Sequence, residues 1–255
     1  MPRRQWNNRP LRRKVLSYFL SRLAARRPDV YFIQIGAHNG VDGDPIHTLV
    51  RRHGWRGILV EPVPYLYEQL RRNYAGVPGL ILDPRAVAED AAPRRLYRLR
   101  PNDDGLPDWY DQLGSFDRDV VLKHRDAIPN IEDYLVSDEV PCVTLSGLLA
   151  EHGVARLDLL VIDVEGYDYR ILRQLDFNRF APPVIVYEKK HLGDGDLALS
   201  LELLRGWGYR VLDCGPDALA LLDPPQASGP DGPTDATVIG EMLDEILRYQ
   251  DLTGQ

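Results

Sequence analysis

The chain has 255 residues, of which 44% are hydrophobic, and this is enough for one large domain with a substantial core. Its 31 basic and 38 acidic residues give a net charge of −7, which argues against a general nucleic-acid-binding protein. Cys142 and Cys214 lie far apart and outside any metal-ligand spacing, so they predict neither a disulfide framework nor a zinc site. No apolar run reaches membrane-spanning length, and we expect a cytoplasmic protein.

Residues 1–28 predict a basic amphipathic helix. Residues 1–27 carry nine lysines and arginines. One helical face is apolar, and its side chains are Leu11, Val15, Leu16, Phe19, Leu20 and Leu23. The helix either packs against the edge of a sheet with its basic face in solvent, or makes a peripheral contact with an anionic membrane. We favour packing against the sheet, because the segment is short and has few aromatic anchors.

From residue 30 onward, strands alternate with helices, which is typical of a parallel sheet covered by helices. Strands are predicted at Val30–Ile35, Gly57–Val60, Leu80–Leu82, Arg95–Leu99, Cys142–Leu145, Leu157–Ile162 and Val184–Tyr187, and helices at Pro45–His53, Tyr65–Tyr74, Ser146–His152, Tyr169–Leu175 and Leu197–Trp207. Two closely spaced strands, Tyr209–Cys214 and Ala218–Leu222, predict an antiparallel hairpin. The expected fold is a doubly wound, mostly parallel α/β domain over residues 29–225.

Residues 100–139 interrupt this alternation and are rich in aspartate, proline, glycine and aromatic residues. Such a long segment inside a compact domain predicts a functional insertion, which we interpret as a substrate lid. Trp109, Tyr110 and Phe116 either stack on a sugar face or form the small core of the lid, and we favour the core. Residues 226–255 predict a flexible linker and an acidic helix that covers the sheet or forms a homodimer contact.

The turn Gly36–Gly40 and the acid Glu61 predict a site for an adenosine-containing cofactor. Glycines after the first strand let the backbone approach a ligand closely. A carboxylate at the end of the second strand can accept hydrogen bonds from both ribose hydroxyls. His38 stands where a dinucleotide motif has its middle glycine, and this disfavours a ligand with a pyrophosphate.

Carboxylates follow several strands of the predicted sheet, namely Glu61, Asp83, Asp163, Glu165 and Glu188. Because the carboxyl ends of parallel strands meet at one edge, these acids are expected to crowd together, which costs stability unless a cation relieves it. S-adenosylmethionine has a positive sulfonium, a ribose diol and no pyrophosphate, so it meets these requirements. A divalent cation, Mg²⁺ or Mn²⁺, held by Asp163, Glu165 and Glu188 is also possible. A purely structural alternative is that Glu165 caps the following helix.

Several blocks of the chain, in order, resemble the FkbM family of S-adenosylmethionine-dependent methyltransferases. The resemblance runs from about Val30 to Leu192 in the blocks Gln34–Gly40, Gly54–Pro62, Gly114–Phe116, Leu157–Asp168 and Tyr187–Leu192. It implies a class I methyltransferase (Rossmann-like) fold. It also implies O-methylation of a hydroxyl on a sugar, glycolipid or polyketide-type metabolite.

The resemblance further implies which residues contact the cofactor. By position they are Gly36, His38, Asn39 and Gly40 at the methionine part, Glu61 and Pro62 at the ribose, Arg85 and Ala86 at the adenine, Ser115 near the cofactor, and Asp163 with Glu165 at the transferring methyl.

An alcohol is a poor nucleophile at neutral pH and needs a base or a metal to remove its proton. His191, three residues after Glu188, is the first choice for this base, and His124 within the lid is the second.

Two other classes of function stay open from the residues alone. A nicotinamide-dependent oxidoreductase predicts a glycine at the position of His38, and a non-catalytic cofactor- or glycan-binding module predicts no turnover.

Overall fold

The computed structural model describes residues 9–101, 107 and 109–222, with side chains from residue 15 onward. The predicted linker and helix of residues 226–255 lie outside the described residues.

Up to residue 99 the elements are α1 (Arg9–Arg26), β1 (Tyr31–Ile35), α2 (His47–His53), β2 (Arg56–Val60), α3 (Pro64–Asn73), β3 (Leu80–Asp83), β4 (Ala86–Val87) and β5 (Arg94–Leu99). From residue 110 they are a 3₁₀ turn (Tyr110–Gln112), β6 (Gly114–Ser115), α4 (Arg118–Leu122), α5 (Ile131–Tyr134), β7 (Leu135–Val140), β8 (Cys142–Val143), α6 (Leu145–Glu151), β9 (Leu159–Ile162), α7 (Asp168–Leu172), β10 (Val184–Glu188), α8 (Asp194–Gly206), β11 (Tyr209–Cys214) and β12 (Asp217–Leu222).

The main sheet contains seven strands among the described residues, in the order β11-β12-β10-β9-β1-β2-β3. The pairs from β10 to β3 are parallel, and β12 runs antiparallel to both β10 and β11. This arrangement confirms the predicted doubly wound α/β fold with its hairpin. The strand order reverses between β1 and β9, and at such a point the following loops diverge and leave a crevice for a ligand.

Side chains alternate between the two faces of the main sheet, as expected for strands buried on both sides. In β1, Phe32 belongs to the core on one face and Ile33 to the core on the other. Buried side chains of α1, α2 and α3 cover the first face, whereas those of α6, α7 and α8 cover the second. The sheet is thereby held rigid beneath the loops that follow its strands.

Helix α1 packs against the edge strand β11 and against α2. Its apolar face is buried in the core, with Phe19 and Leu20 both 0% exposed. The interpretation of α1 as a helix packed on the sheet edge therefore accounts for its apolar side chains. No helix in the described part of the chain combines the length and the apolarity needed to cross a membrane.

Residues 100–139 contain more regular structure than their composition predicts. Strands β6 and β7 pair antiparallel with β5 and form a three-stranded side sheet. Trp109 and Tyr110 pack against a small separate core, whereas Phe116 packs edge-on against Tyr167 at 5.1 Å between ring centroids. The buried members of this core are Leu99, Leu113, Val121, Leu122, Ile128 and Ile131. These elements are two to six residues long, too short to produce a clear periodic pattern.

Candidate functional site

A cavity of about 1540 Å³ opens beyond the carboxyl ends of the parallel strands. Cavities for a single small ligand usually measure roughly 300–1000 Å³, so this one has room for two molecules side by side. Among the residues predicted from the sequence, those that line it are Gly36, His38, Glu61, Pro62, Ala86, His124, Asp163, Glu165 and Glu188.

Gly36 lies where the turn after β1 passes against the end of β9. Its N–H and that of Ala37 donate to the carbonyl oxygen of Val60, at 3.0 and 2.9 Å. Gly36 has φ 84°, and a Cβ added there would lie 1.8 Å from the carbonyl oxygen of Asp163. Only glycine fits this position, because both the backbone angle and the close contact exclude a side chain.

Asn39 and Gly40 shape the turn, and the structure places neither on the cavity wall. The side-chain oxygen of Asn39 accepts hydrogen bonds from the N–H groups of Val41 and Asp42, both at 3.0 Å. A Cβ on Gly40 would meet the side chain of Leu70 at 2.5 Å, so this glycine lets the turn approach α3. Both residues therefore hold the loop that carries His38.

Glu61 is 5% exposed and follows β2 directly. One carboxylate oxygen accepts a hydrogen bond from the N–H of His38 and the other from the N–H of Val63, each at 2.8 Å. Burial raises the pKa of Glu61 to about 6, even though both amides favour the charged form. Since a carboxylate offers about four acceptor positions, the two that remain can accept from a vicinal diol.

His38 joins the cofactor turn to the lid segment. It has φ 49°, an uncommon angle for a residue with a side chain. Its Nε2 lies 3.7 Å from a carboxylate oxygen of Asp111 in the 3₁₀ turn. Burial disfavours the protonated ring, but Asp111 and Glu61 outweigh this effect and raise the pKa of His38. Asp111 has no sequence motif around it, and the sequence did not identify it as a site residue.

The wall next to Glu61 is apolar and includes Val63, Leu66, Ala86 and Leu96. An apolar wall of this kind suits a flat heteroaromatic ring.

Arg85, predicted beside Ala86 at the adenine, does not line this wall. Its guanidinium instead bonds to both oxygens of Asp83, at 3.0 and 2.7 Å, and to Glu151 at 2.7 Å. His152 also contacts Asp83, at 3.3 Å. The prediction that Asp83 adds to the acid crowding is therefore corrected, because Asp83 is paired with the guanidinium of Arg85 and lies outside the cavity wall.

Ser115 is buried and acts on Glu165 through the main chain. Its hydroxyl donates to the carbonyl oxygen of Glu165 at 2.8 Å and accepts from the N–H of Asp117 at 3.2 Å. Glu165 has φ 53°, so the loop after β9 is bent at this residue. Helix α7 begins only at Asp168, and its first turn carries Asp168 rather than Glu165. The interpretation of Glu165 as a helix cap is therefore wrong.

The lid and two strand ends bring His124, Glu165, Glu188 and His191 together. The Nε2 of His191 lies 3.1 Å from Oε2 of Glu165 and 3.8 Å from Oε1 of Glu188. The rings of His124 and His191 have centroids 5.3 Å apart. Glu165, Glu188 and His124 line the cavity, whereas His191 lies behind them and is 8% exposed. His191, the first choice for the base, is therefore not on the wall that a substrate touches.

Burial dominates the electrostatics of this cluster. It raises the pKa of Glu165 and of Glu188, and the charge of Asp163 raises both further. Burial likewise lowers the pKa of His191 to about 4, with a contribution from Lys190. These directions agree with one another, because a carboxylic acid kept neutral by burial cannot stabilise an imidazolium beside it.

Asp168 is a site residue that the sequence placed in a motif but gave no role. It is 0% exposed and accepts hydrogen bonds from the N–H groups of Gly166 and Glu188, both at 3.2 Å. It thus ties the loop after β9 to the end of β10. Burial raises the pKa of Asp168 well above its usual range, and Asp163 adds to this.

The strand order and the cavity at its switch point define a doubly wound α/β domain with a crevice beyond the carboxyl ends of its strands. A sequence profile described as the methyltransferase FkbM domain matches residues 34–211, which is more than half of the chain. The chain belongs to the FkbM methyltransferase family, as the resemblance implied. This membership does not favour the nicotinamide-dependent alternative.

Solved structures with similar folds are distant. A methyltransferase FkbM from Methylobacillus flagellatus KT has a TM-score of 0.48 and 13% identity, over 76% of this chain and 44% of that chain. A precorrin-6y C5,15-methyltransferase from Geobacter metallireducens GS-15 has a TM-score of 0.36 and 14% identity, over 83% of this chain and 77% of that chain. A mutant of MtNAS in complex with S-adenosylmethionine has a TM-score of 0.36 and 15% identity, over 83% of this chain and 63% of that chain. The chain thus spans less than half of the first protein, and no curated protein sequence matches it significantly.

Proposed function

We propose that this chain is an S-adenosylmethionine-dependent O-methyltransferase that methylates a hydroxyl of a sugar, glycolipid or polyketide-type metabolite. The family membership supports methyl transfer. The observation that carries the proposal is the position of Glu61, which faces the same cavity as Glu165 and His124. One wall of the cavity therefore suits a nucleoside, and the other carries His124, a group that can take a proton.

The residues around Glu61 fit the adenosine part of the cofactor. The carboxylate is already oriented by the amides of His38 and Val63, so its remaining acceptor positions can hold the two ribose hydroxyls without rearrangement. The apolar wall with Ala86 and Leu96 then lies on the side where the adenine would be held. When bound, S-adenosylmethionine supplies a methyl group on a positively charged sulfur.

The polar residues that line the cavity near Gly36 suit the charged methionine part of S-adenosylmethionine. Asp163 lines the cavity next to Gly36 and places a carboxylate where a sulfonium or an ammonium group would be stabilised. Gln34 also lines the cavity, and its side-chain oxygen has no hydrogen-bond partner within the described part of the chain. Its amide nitrogen donates to Asp44 at 3.2 Å, which fixes that oxygen in place as an acceptor for an ammonium group.

The acceptor hydroxyl would lie near Glu165 and His124, which both line the cavity. His124 can receive its proton, because burial and the charges of Lys190 and Lys123 lower the pKa of His124 and keep its ring neutral. His191 then lies behind the wall, with its Nε2 packed 3.1 Å from Oε2 of Glu165. In-line methyl transfer depends mostly on the alignment of the two reacting groups, so a rigid wall at this point contributes directly to the rate.

The remaining wall of the cavity supports a polar acceptor with some apolar surface. It combines hydroxyl and aliphatic side chains from α1 and α2 with the turn between β11 and β12. These lining residues are Leu16, Ser17, Ser21, Thr48, Leu49, Gly215, Pro216 and Asp217. Hydroxyl groups in such a wall can bond to a polyol, while the aliphatic ones cover its hydrophobic parts.

Titration calorimetry with S-adenosylhomocysteine tests the cofactor part of the proposal. We expect Glu61→Gln to weaken binding about ten- to a hundredfold, because one or two hydrogen bonds to a charged group are lost. The matched control is Glu68→Gln, since Glu68 is an exposed acid on α3 that pairs only with helix arginines among the described residues. Absence of binding by the unaltered protein would overturn the proposal.

The transfer itself is tested by incubating the protein with S-adenosylmethionine and a metabolite extract, then searching by mass spectrometry for products heavier by one methylene. We expect a new methyl ether on a hydroxylated metabolite. Binding of S-adenosylhomocysteine without any methylated product would favour the non-catalytic module, and methylation at nitrogen or carbon would contradict the O-methyl assignment.

A further inference from the structure

The cluster of His124, Glu165, Glu188 and His191 contains several buried polar atoms without a hydrogen-bond partner in the described part of the chain. Within the described part of the chain, no hydrogen bond is made by Nε2 of His124, Oε2 of Glu165, Oε2 of Glu188 or Nε2 of His191. Buried polar atoms are nearly always paired, and exceptions grouped at one point indicate a missing water or ion. Two of the side chains are more than nine-tenths buried, since His191 is 8% exposed and Glu188 is 7% exposed.

Three of these four side chains bring ligand atoms close together. One nitrogen of His124, one nitrogen of His191 and one carboxylate oxygen of Glu165 lie within 4.8 Å of one another. The 3.1 Å between Nε2 of His191 and Oε2 of Glu165 is close to the edge of a coordination octahedron, which is about 3.0 Å when metal–ligand bonds are about 2.1 Å. Both atoms can therefore bind one metal ion with little movement.

We propose that His124, Glu165 and His191 form a binding site for a divalent first-row transition metal ion. Two imidazole nitrogens and one carboxylate oxygen suit such an ion and do not suit Mg²⁺ or Ca²⁺, which prefer oxygen ligands. Three protein ligands leave open coordination positions on the side of the cavity, because Glu165 and His124 line it. Oε1 of Glu188 lies 3.8 Å from the same nitrogen of His191, so this carboxyl group borders the proposed site.

The site has a direct consequence for the acceptor. Its ligands come from the lid segment, from the loop after β9 and from the end of β10, so a bound ion would fix the lid against the main sheet. An oxygen of the acceptor could occupy one of the open positions beside the methyl donor. This role in turnover depends on the proposed function, whereas binding of the ion does not.

Calorimetry with Zn²⁺ on protein treated with a chelator tests the site without any turnover. We expect one equivalent to bind, and we expect His124→Ala and His191→Ala each to weaken binding at least tenfold. His152→Ala is the matched control, because that histidine pairs with Asp83 outside the cluster. His124 is half-buried on the lid, so His124→Ala keeps the test informative if His191→Ala fails to fold.

Three outcomes would overturn the assignment. They are no binding of Zn²⁺, binding that neither histidine variant weakens, and tighter binding of Mg²⁺ than of Zn²⁺. The last outcome would instead assign the ion to the oxygen cluster Asp163, Glu165 and Glu188, whose ligand atoms also lie within 4.8 Å of one another. A parallel titration of metal-free protein with S-adenosylhomocysteine separates the two proposals, because Glu61 binds the ribose whether or not an ion is present.

Discussion

The hydroxyl of Ser115 donates a hydrogen bond to the carbonyl oxygen of Glu165, so a residue of the side sheet holds the backbone of a residue at the end of the main sheet. This bond spans 50 positions of the chain and fixes Glu165 at φ 53°, an angle that it would rarely adopt alone. This contact therefore holds the backbone from which the Glu165 side chain reaches the cavity.

Replacing Ser115 by alanine should therefore reduce turnover at least tenfold while the affinity for S-adenosylhomocysteine stays the same. The lost hydrogen bond should also cost about 1 kcal/mol of unfolding free energy. Ser146→Ala is the control, since Ser146 is exposed and its hydroxyl contacts only Thr144 among the described residues. Steady-state kinetics and urea unfolding measure both effects, and equal turnover in the two variants would contradict the role of Ser115.

Gly36→Ala should destabilise the fold by about 3–5 kcal/mol. About 1–2 kcal/mol comes from the left-handed backbone angle and the rest from displacing the carbonyl of Asp163, 1.8 Å from the new Cβ. Gly54→Ala isolates the first cost, because Gly54 has φ 66° and nothing within 4 Å of a Cβ. Urea unfolding of the unaltered protein, Gly36→Ala and Gly54→Ala measures the loss of unfolding free energy in each variant. If both variants lose the same free energy, the contact with Asp163 is unimportant.

The affinity for S-adenosylhomocysteine should fall about tenfold between pH 7.5 and pH 5. Burial raises the pKa of Glu61 to about 6, so the carboxylate that we propose as the acceptor for the ribose hydroxyls is protonated below that pH. The stability of the free protein changes with pH in the opposite direction to the affinity. The raised pKa of Glu61 adds to the free energy of unfolding below about pH 4.5, and this contribution is lost as the pH rises through about 6.

Titration calorimetry with S-adenosylhomocysteine measures this affinity across the same pH range. The variant Glu61→Gln serves as the reference, because it lacks the titrating carboxyl group. The remaining pH dependence of that variant reports His38, whose pKa is also raised. A pH dependence that is identical in the two proteins would show that Glu61 does not titrate on binding.

Phe19→Ala should cost about 3–5 kcal/mol of stability, because its side chain is 0% exposed in the core beneath α1. Tyr18→Ala, at the next position and 42% exposed, should cost less than about 1 kcal/mol. Thermal unfolding in buffer without lipid compares the two. A small loss in Phe19→Ala would argue that the apolar face of α1 does not belong to the core and would reopen the membrane interpretation.

Much of the fold and part of the site could be predicted from the sequence, because the signals concerned are local. Gly36 and Glu61 follow buried apolar strands directly, and parallel strands bring their carboxyl ends to one edge. The side sheet could not be predicted in this way. Its strands are short, and the pairing of β5 with β7 is fixed by residues 40 positions apart, such as Arg98 with Asp138.

Other parts of the site depend on geometry that no motif encodes. The bend at Glu165 turns its side chain toward His191 and leaves His191 behind the wall rather than on it. Arg85 was expected at the adenine because of its place beside Ala86, but its guanidinium has stronger partners in Asp83 and Glu151. In both cases a neighbour distant in sequence decides where the side chain points.

The side sheet has a consequence for how this family can change. Among the described residues its strands pair with one another and not with the main sheet, so its loops can lengthen or shorten without altering the register of any strand that carries Glu61 or Gly36. These loops also supply Trp109 and His124 to the cavity. Relatives could thus change the part of the cavity formed by these loops by rebuilding a single module, while the strand ends that carry Gly36 and Glu61 are inherited intact.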